Sequence, residues 1–189
     1  MIKIVAKELP YAPYPKSSFR LWEAKIDDEK MNKKITEVID EQGDRQNHST
    51  NVKADMTEWR MWEYPGFKEL SDISISIANS IARDYFNRKN VDLGLGNLWG
   101  MKYKSNELTV SHDHWPALFS FVYYINPPEN ASGILFDESD ALRKPENGLF
   151  VMFEGHTKHQ VVPAEFEGHR YAVSGNIYHV GFKKDVEYF

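Results

Sequence analysis

The chain has 189 residues, a formal net charge of −5, 41% hydrophobic and 14% aromatic residues, and no cysteine. That length suits one domain with a sizeable core. The missing cysteine excludes a disulfide scaffold, a thiolate zinc site and a cysteine nucleophile, and the acidic balance argues against a nucleic-acid partner.

The first eight residues, Met1 to Glu8, lack the apolar centre of a secretory signal. No later run approaches the roughly 18 apolar residues of a membrane span. A cytoplasmic protein without a membrane partner is the expectation. Residues 9–15 carry three prolines in six positions and should be extended or looped. A short strand is expected over Phe19–Ile26. A helix then starts at Asp27 or Asp28, either of which can cap it, buries Met31, Ile35, Val38 and Ile39, and stops at Gly43. Residues 43–58 are polar and irregular and read as a mobile surface loop. A second helix runs from about Gly66 to Arg88, with Phe67, Leu70, Ile73, Ile77, Ile81 and Tyr85 as a core-facing stripe.

From Val91 the pattern changes to short β-rich runs between turn signals. These are Leu98–Lys104, Leu108–His114, Leu118–Ile125, Gly133–Phe136, Leu149–Glu154, His159–Pro163 and Arg170–Phe182. The expected fold is mainly β, a sandwich or barrel braced by two helices on one outer face. Residues 1–90 supply the support and 91–189 the core of a single domain.

Six of the seven histidines lie after residue 111. His112 and His114 are two apart, so on a strand their imidazoles share a face. With the distant His159 they can supply three metal ligands, for which iron, zinc, copper and nickel are suited. His156, His169 and His179 read as a loop, a turn and a structural strand residue.

The surroundings of these histidines carry a resemblance. Downstream of the pair come Tyr123-Tyr-Ile-Asn126, Ser132-Gly-Ile-Leu135, His159 ahead of Val-x-Pro, and Arg170 eleven residues later. In this order, from about Tyr103 to Tyr178, the chain resembles the Fe(II)/2-oxoglutarate-dependent dioxygenases of the prolyl-hydroxylase type. The resemblance implies a double-stranded β-helix, or jelly roll, with Fe(II), 2-oxoglutarate and O2 at its open end. It implies iron ligation by His112 and His159, and a clamp of Arg170 on the distal carboxylate of 2-oxoglutarate. Tyr124 would bond the same carboxylate, Tyr103 would line the pocket, and Ser174 and Asn176 would contact the cosubstrate or an iron-bound water. The implied activity is hydroxylation coupled to conversion of 2-oxoglutarate to succinate and CO2, on a prolyl or other peptide residue or a small molecule.

One position departs from the family pattern, because His114 stands where a carboxylate ligand is usual. Three arrangements remain open: His114 ligates, a kink lets Asp113 ligate instead, or a water or halide fills the place. The 43–58 loop could serve as a lid, and Trp59, Trp62 and Trp99 as an aromatic floor. Two other readings stand beside the oxygenase. One is a non-catalytic jelly-roll binding or assembly protein. The other is a three-histidine, cupin-like metalloenzyme that uses no 2-oxoglutarate.

Overall fold

The computed structural model describes residues 3–10, 18–87 and 91–180. Residues 11–15 of the proline-rich stretch expected to be extended or looped, residue 88 of the expected second helix and residues 181–182 of the expected last strand lie outside these residues. Among the described residues the chain forms strands β1 (Ile4–Pro10) and β2 (Ser18–Lys25), helix α1 (Glu29–Gln42), strands β3 (Val52–Lys53) and β4 (Asp55–Met56), and helix α2 (Phe67–Phe86). Then follow β5 (Leu93–Tyr103), β6 (Leu108–His112), β7 (Phe119–Ile125), β8 (Ile134–Phe136), β9 (Ala141–Arg143), β10 (Leu149–Glu154), β11 (His159–Val161) and β12 (Arg170–His179). The fold is thus mainly β with two helices, as the sequence pattern suggests.

Both helices begin where their caps allow. Asp28 accepts the amide of Met31 at 2.9 Å, and Gly43 ends α1 with φ of 61°. At the start of α2 the Glu69 carboxylate accepts the amide of Gly66 at 2.7 Å. Gly66 has φ of 80°, and a Cβ there would sit 2.9 Å from the Met31 carbonyl oxygen, so close packing of the two helices requires glycine.

The strands form two antiparallel sheets. One has the order β1-β2-β10-β7-β12-β5-β4 and the other β3-β6-β11-β8-β9. Period-two alternation gives the larger sheet two apolar faces. Trp22, Phe121, Tyr123, Phe150, Met152, Val173 and Ile177 pack with the helices. Leu21, Tyr124, Val151, Phe153 and Ala172 share the second core with Ile134, Phe136 and Val161 of the smaller sheet. The result is three layers: helices, large sheet, small sheet. β7 lies in the middle and is buried along its whole length.

Residues 43–58 differ from the expected free loop. β3 pairs with β6 and β4 with β5, so the segment stitches one edge of each sheet. Val52, Ala54, Met56 and Thr57 are buried, and the Thr57 hydroxyl accepts the amide of Gly100 at 2.9 Å. The alternating Val52, Ala54 and Met56 are the strand signal. Polar neighbours on both sides hide it, and long-range pairing rather than local propensity holds it in place.

The two adjacent tyrosines of β7 have opposite duties. The Tyr123 hydroxyl donates to Asn32 Oδ1 of α1 at 2.6 Å, inside the helix-facing core. Tyr123→Phe leaves that buried oxygen unpartnered and should cost about 1–2 kcal/mol of stability in denaturant unfolding. A variant as stable as wild type would show that this bond contributes nothing.

Candidate functional site

The smaller sheet brings two histidines together through its register. His112 of β6 and His159 of β11 are directly paired across the strands. His114 follows just past the end of β6, where its backbone amide donates to the Gly155 carbonyl at 2.7 Å. The three rings lie with centroids 4.5 Å (His112–His159), 4.7 Å (His112–His114) and 5.0 Å (His114–His159) apart. Each offers a nitrogen within 4.8 Å of the others.

Two of the rings are fixed in orientation by main-chain carbonyls. Nδ1 of His112 contacts the Val110 carbonyl at 2.8 Å, and Nδ1 of His159 contacts that of Thr157 at 2.9 Å. A carbonyl oxygen only accepts, so each Nδ1 carries the proton and each Nε2 keeps a bare lone pair. Nδ1 of His114 faces the Asn176 side-chain amide instead, 3.3 Å from its nitrogen. Burial, followed by the other two imidazoles, pushes His114 down to about 2. Burial and then His112 push His159 down to about 3, and burial also lowers His112. Three neutral rings in contact are a suitable donor set for a divalent transition metal. Asp113 points elsewhere: it is exposed and its carboxylate accepts the Trp115 amide at 3.0 Å.

The histidines line an interior cavity together with Trp99, Tyr103, Thr109, Tyr124, Arg170 and Ser174. Arg170 opens β12 opposite Tyr103 of β5, and it is only 1% exposed. Its guanidinium lies against two aromatic rings, 4.5 Å from the centroid of Tyr103 and 5.1 Å from that of Tyr124. Among the described residues Nε and Nη1 of Arg170 and the hydroxyl of Tyr124 have no hydrogen-bond partner. A buried guanidinium with two unpartnered nitrogens is costly, and an anion in the cavity would satisfy them together with the Tyr124 hydroxyl. Burial raises the pKa of Tyr103 and Tyr124, which keeps both as neutral phenols able to donate.

The structure therefore gathers His112, His114, His159, Arg170, Tyr103, Tyr124 and Ser174 around one cavity. Asn176 lies beside it, against His114. Three contributors carry weaker sequence signals. Thr109 shares a 2.6 Å hydrogen bond with the Tyr103 hydroxyl. Ser120, whose hydroxyl donates to Asn176 Oδ1 at 2.8 Å, is the one polar residue in the apolar run 119–125. Trp115 stands 76% exposed at the mouth beside Trp59 and Trp99, whose rings meet edge-on at 5.1 Å. Trp62 packs on the helix side and takes no part in this mouth.

No family model matches the chain, and no curated protein matches it. Solved structures do. The 2-oxoglutarate complex of a viral collagen prolyl hydroxylase from Paramecium Bursaria Chlorella virus-1 is similar with a TM-score of 0.61 and 15% identity, over 82% of this chain and 94% of that one. A Pseudomonas putida prolyl-4-hydroxylase gives 0.58 and 14%, over 77% and 82%. A Trichoplax adhaerens prolyl hydroxylase, in complex with a peptide fragment of the hypoxia inducible factor oxygen degradation domain, gives 0.57 and 15%, over 79% and 78%. At these identities the likeness is one of fold, and it is to the prolyl-hydroxylase type of 2-oxoglutarate oxygenase. No helix among the described residues is long and apolar enough to cross a membrane.

The histidine cluster sets the acid response of the chain. Unfolded, these imidazoles take up protons near 6.5, whereas folded all three are lowered, His114 to about 2 and His159 to about 3. The unfolded state therefore binds more protons below about pH 6.5, and stability falls as pH drops. In a chelator-containing buffer the unfolding midpoint should decline between about pH 7 and 5, above the range where carboxylates titrate. A midpoint flat across that interval would contradict the packing of three neutral rings.

Proposed function

We propose that the chain is an oxygenase that uses Fe(II), 2-oxoglutarate and O2 to hydroxylate a peptide residue or a small molecule, with its two sheets arranged as a double-stranded β-helix. The observation that carries this reading is Arg170, a buried guanidinium with unpartnered nitrogens in the same cavity as three imidazoles. A non-catalytic scaffold has no use for such a group, and a cupin-like site without 2-oxoglutarate leaves it without an anion.

In this reading His112, His114 and His159 hold the iron. The carbonyls of Val110 and Thr157 keep Nδ1–H of two rings anchored, so that their Nε2 atoms stay directed and basic. Asp113 is held by the Trp115 amide, which favours His114 as the third ligand. Arg170 grips the distal carboxylate of 2-oxoglutarate with a planar fork of donors, and the Tyr124 hydroxyl adds a bond to it. Tyr103 stacks on the guanidinium and keeps its own hydroxyl on Thr109. Ser174 lines the same cavity. When bound, iron and 2-oxoglutarate supply the oxidising power for C–H hydroxylation, with succinate and CO2 as coproducts.

The rest of the cavity serves to keep water away. Val122, Ile134, Phe153 and Val161 form apolar walls, which strengthen the contact between Arg170 and its anion. Three neutral ligands leave the metal one unit more positive than two histidines and a carboxylate would, and with its distal carboxylate on Arg170 the dianionic cosubstrate offsets only part of that charge. At the mouth, Trp59 and Trp115 offer aromatic faces to a substrate. The likeness to a prolyl hydroxylase that carries a peptide fragment supports a peptide residue as that substrate.

Succinate formation from 2-oxoglutarate under air tests this function. The wild type should make succinate only with added Fe(II), and Arg170→Ala should reduce the rate at least about 100-fold, the loss of a charge-assisted pair. Tyr124→Phe should weaken 2-oxoglutarate about tenfold without lowering stability, because its hydroxyl has no protein partner to lose. No iron-dependent succinate together with no binding of 2-oxoglutarate would overturn the proposal.

A further inference from the structure

We infer that Asn176 is the positioning residue of the third metal ligand: its side-chain amide, seated on Ser120, holds the proton of His114 on Nδ1 and leaves Nε2 bare. The inference rests on the metal-site reading above and concerns how an imidazole can work where a carboxylate is usual. A carboxylate presents lone pairs in any orientation. An imidazole ligates through one nitrogen only while its proton sits on the other.

His112 and His159 meet this condition through fixed carbonyl acceptors, but His114 has none. The partner of its Nδ1 is the amide of Asn176. Asn176 is itself only 5% exposed, and Ser120, its cross-strand neighbour on β7, is 1% exposed. Two buried polar side chains need hydrogen-bond partners to offset their desolvation. Their geometry supplies these. The Ser120 hydroxyl donates to Asn176 Oδ1 at 2.8 Å, and the amide nitrogen, a donor only, lies 3.3 Å from His114 Nδ1 and in this orientation would make Nδ1 the acceptor.

A half-turn of the amide exchanges its two ends without loss of a hydrogen bond, because a serine hydroxyl accepts as readily as it donates. In that arrangement Nδ2 donates to Ser120 Oγ and Oδ1 accepts Nδ1–H of His114. Nε2 is then free for the metal. The Ser120–Asn176 pair thus serves His114 as the carbonyls serve the other two rings. Its position outside the Arg170 cavity agrees with this duty rather than with a contact to the cosubstrate.

The test uses Co(II) alone as the metal, titrated by its visible absorption, with wild type, Asn176→Leu, Asn176→Asp and Ser120→Ala. Loss of the acceptor in Asn176→Leu should weaken Co(II) about 10–100-fold. Asn176→Asp, which still accepts Nδ1–H, should stay within about threefold of wild type, and Ser120→Ala should fall between. In the Zn(II)-loaded wild type, nitrogen-15 NMR should place the His114 proton on Nδ1. This readout decides the matter should Asn176→Leu fail to fold. Equal affinity for all four chains, or a Zn(II)-loaded His114 protonated on Nε2, would overturn the inference and leave the metal site standing. Failure of wild type to bind Co(II) at all would overturn both.

Discussion

The alternation of side chains along the adjacent strands β7, buried throughout, and β12, buried over most of its length, is the constraint on which the rest of the structure depends. On β7 it sends Tyr123 toward α1 and Tyr124 toward the smaller sheet, so one tyrosine secures the helix layer and the next lines the cavity. On β12 it aligns Arg170, Ala172, Ser174 and Asn176 along the face opposite the helices, while Val173 and Ile177 fill the helix-side core. A one-residue slip would exchange these faces, burying Arg170 among the helix contacts. The helices therefore act on function indirectly: by covering one apolar face they hold the register that presents the other.

Within that frame the electrostatics of the cavity are one-sided. It contains an arginine, two phenols kept neutral by burial and three imidazoles kept neutral by burial, with no carboxylate in its lining. Stacking of Arg170 on Tyr103 and Tyr124 holds the guanidinium in place without neutralising it. An anion bound at these unpartnered nitrogens would recover their desolvation cost, so stability and occupation of the cavity should be linked.

Much of the fold could be read from local chemistry. Asp28 and Gly43 mark the ends of α1, the His112–His114 spacing predicts a shared face, and the cavity groups Arg170 with His159 as their order in the chain suggests. What escaped was held by distance rather than by local preference. β3 and β4 are two residues long and exist because the longer β6 and β5 pair with them, and the three-residue β9 exists only through its pairing with β8. The choice of Trp115 over Trp62 for the mouth depends on which side of the large sheet each falls, which no spacing reveals. Ser120 was legible as the odd residue in an apolar strand, yet its meaning depends on Asn176, more than fifty residues away. The departure at His114 was visible at once. The place of Asn176 on the face of Arg170 could be read from its spacing, but its contact with His114 could not, because the position of His114 beyond β6 is a tertiary feature.

The most direct measurement is anaerobic calorimetric titration of 2-oxoglutarate into the chain, with and without a saturating divalent metal, for wild type and Arg170→Ala. If the imidazoles and the guanidinium serve one ligand, binding should be tight only with metal present and should be lost in Arg170→Ala. Binding that ignores either the metal or Arg170, or a metal-loaded wild type that takes up no 2-oxoglutarate, would contradict the account.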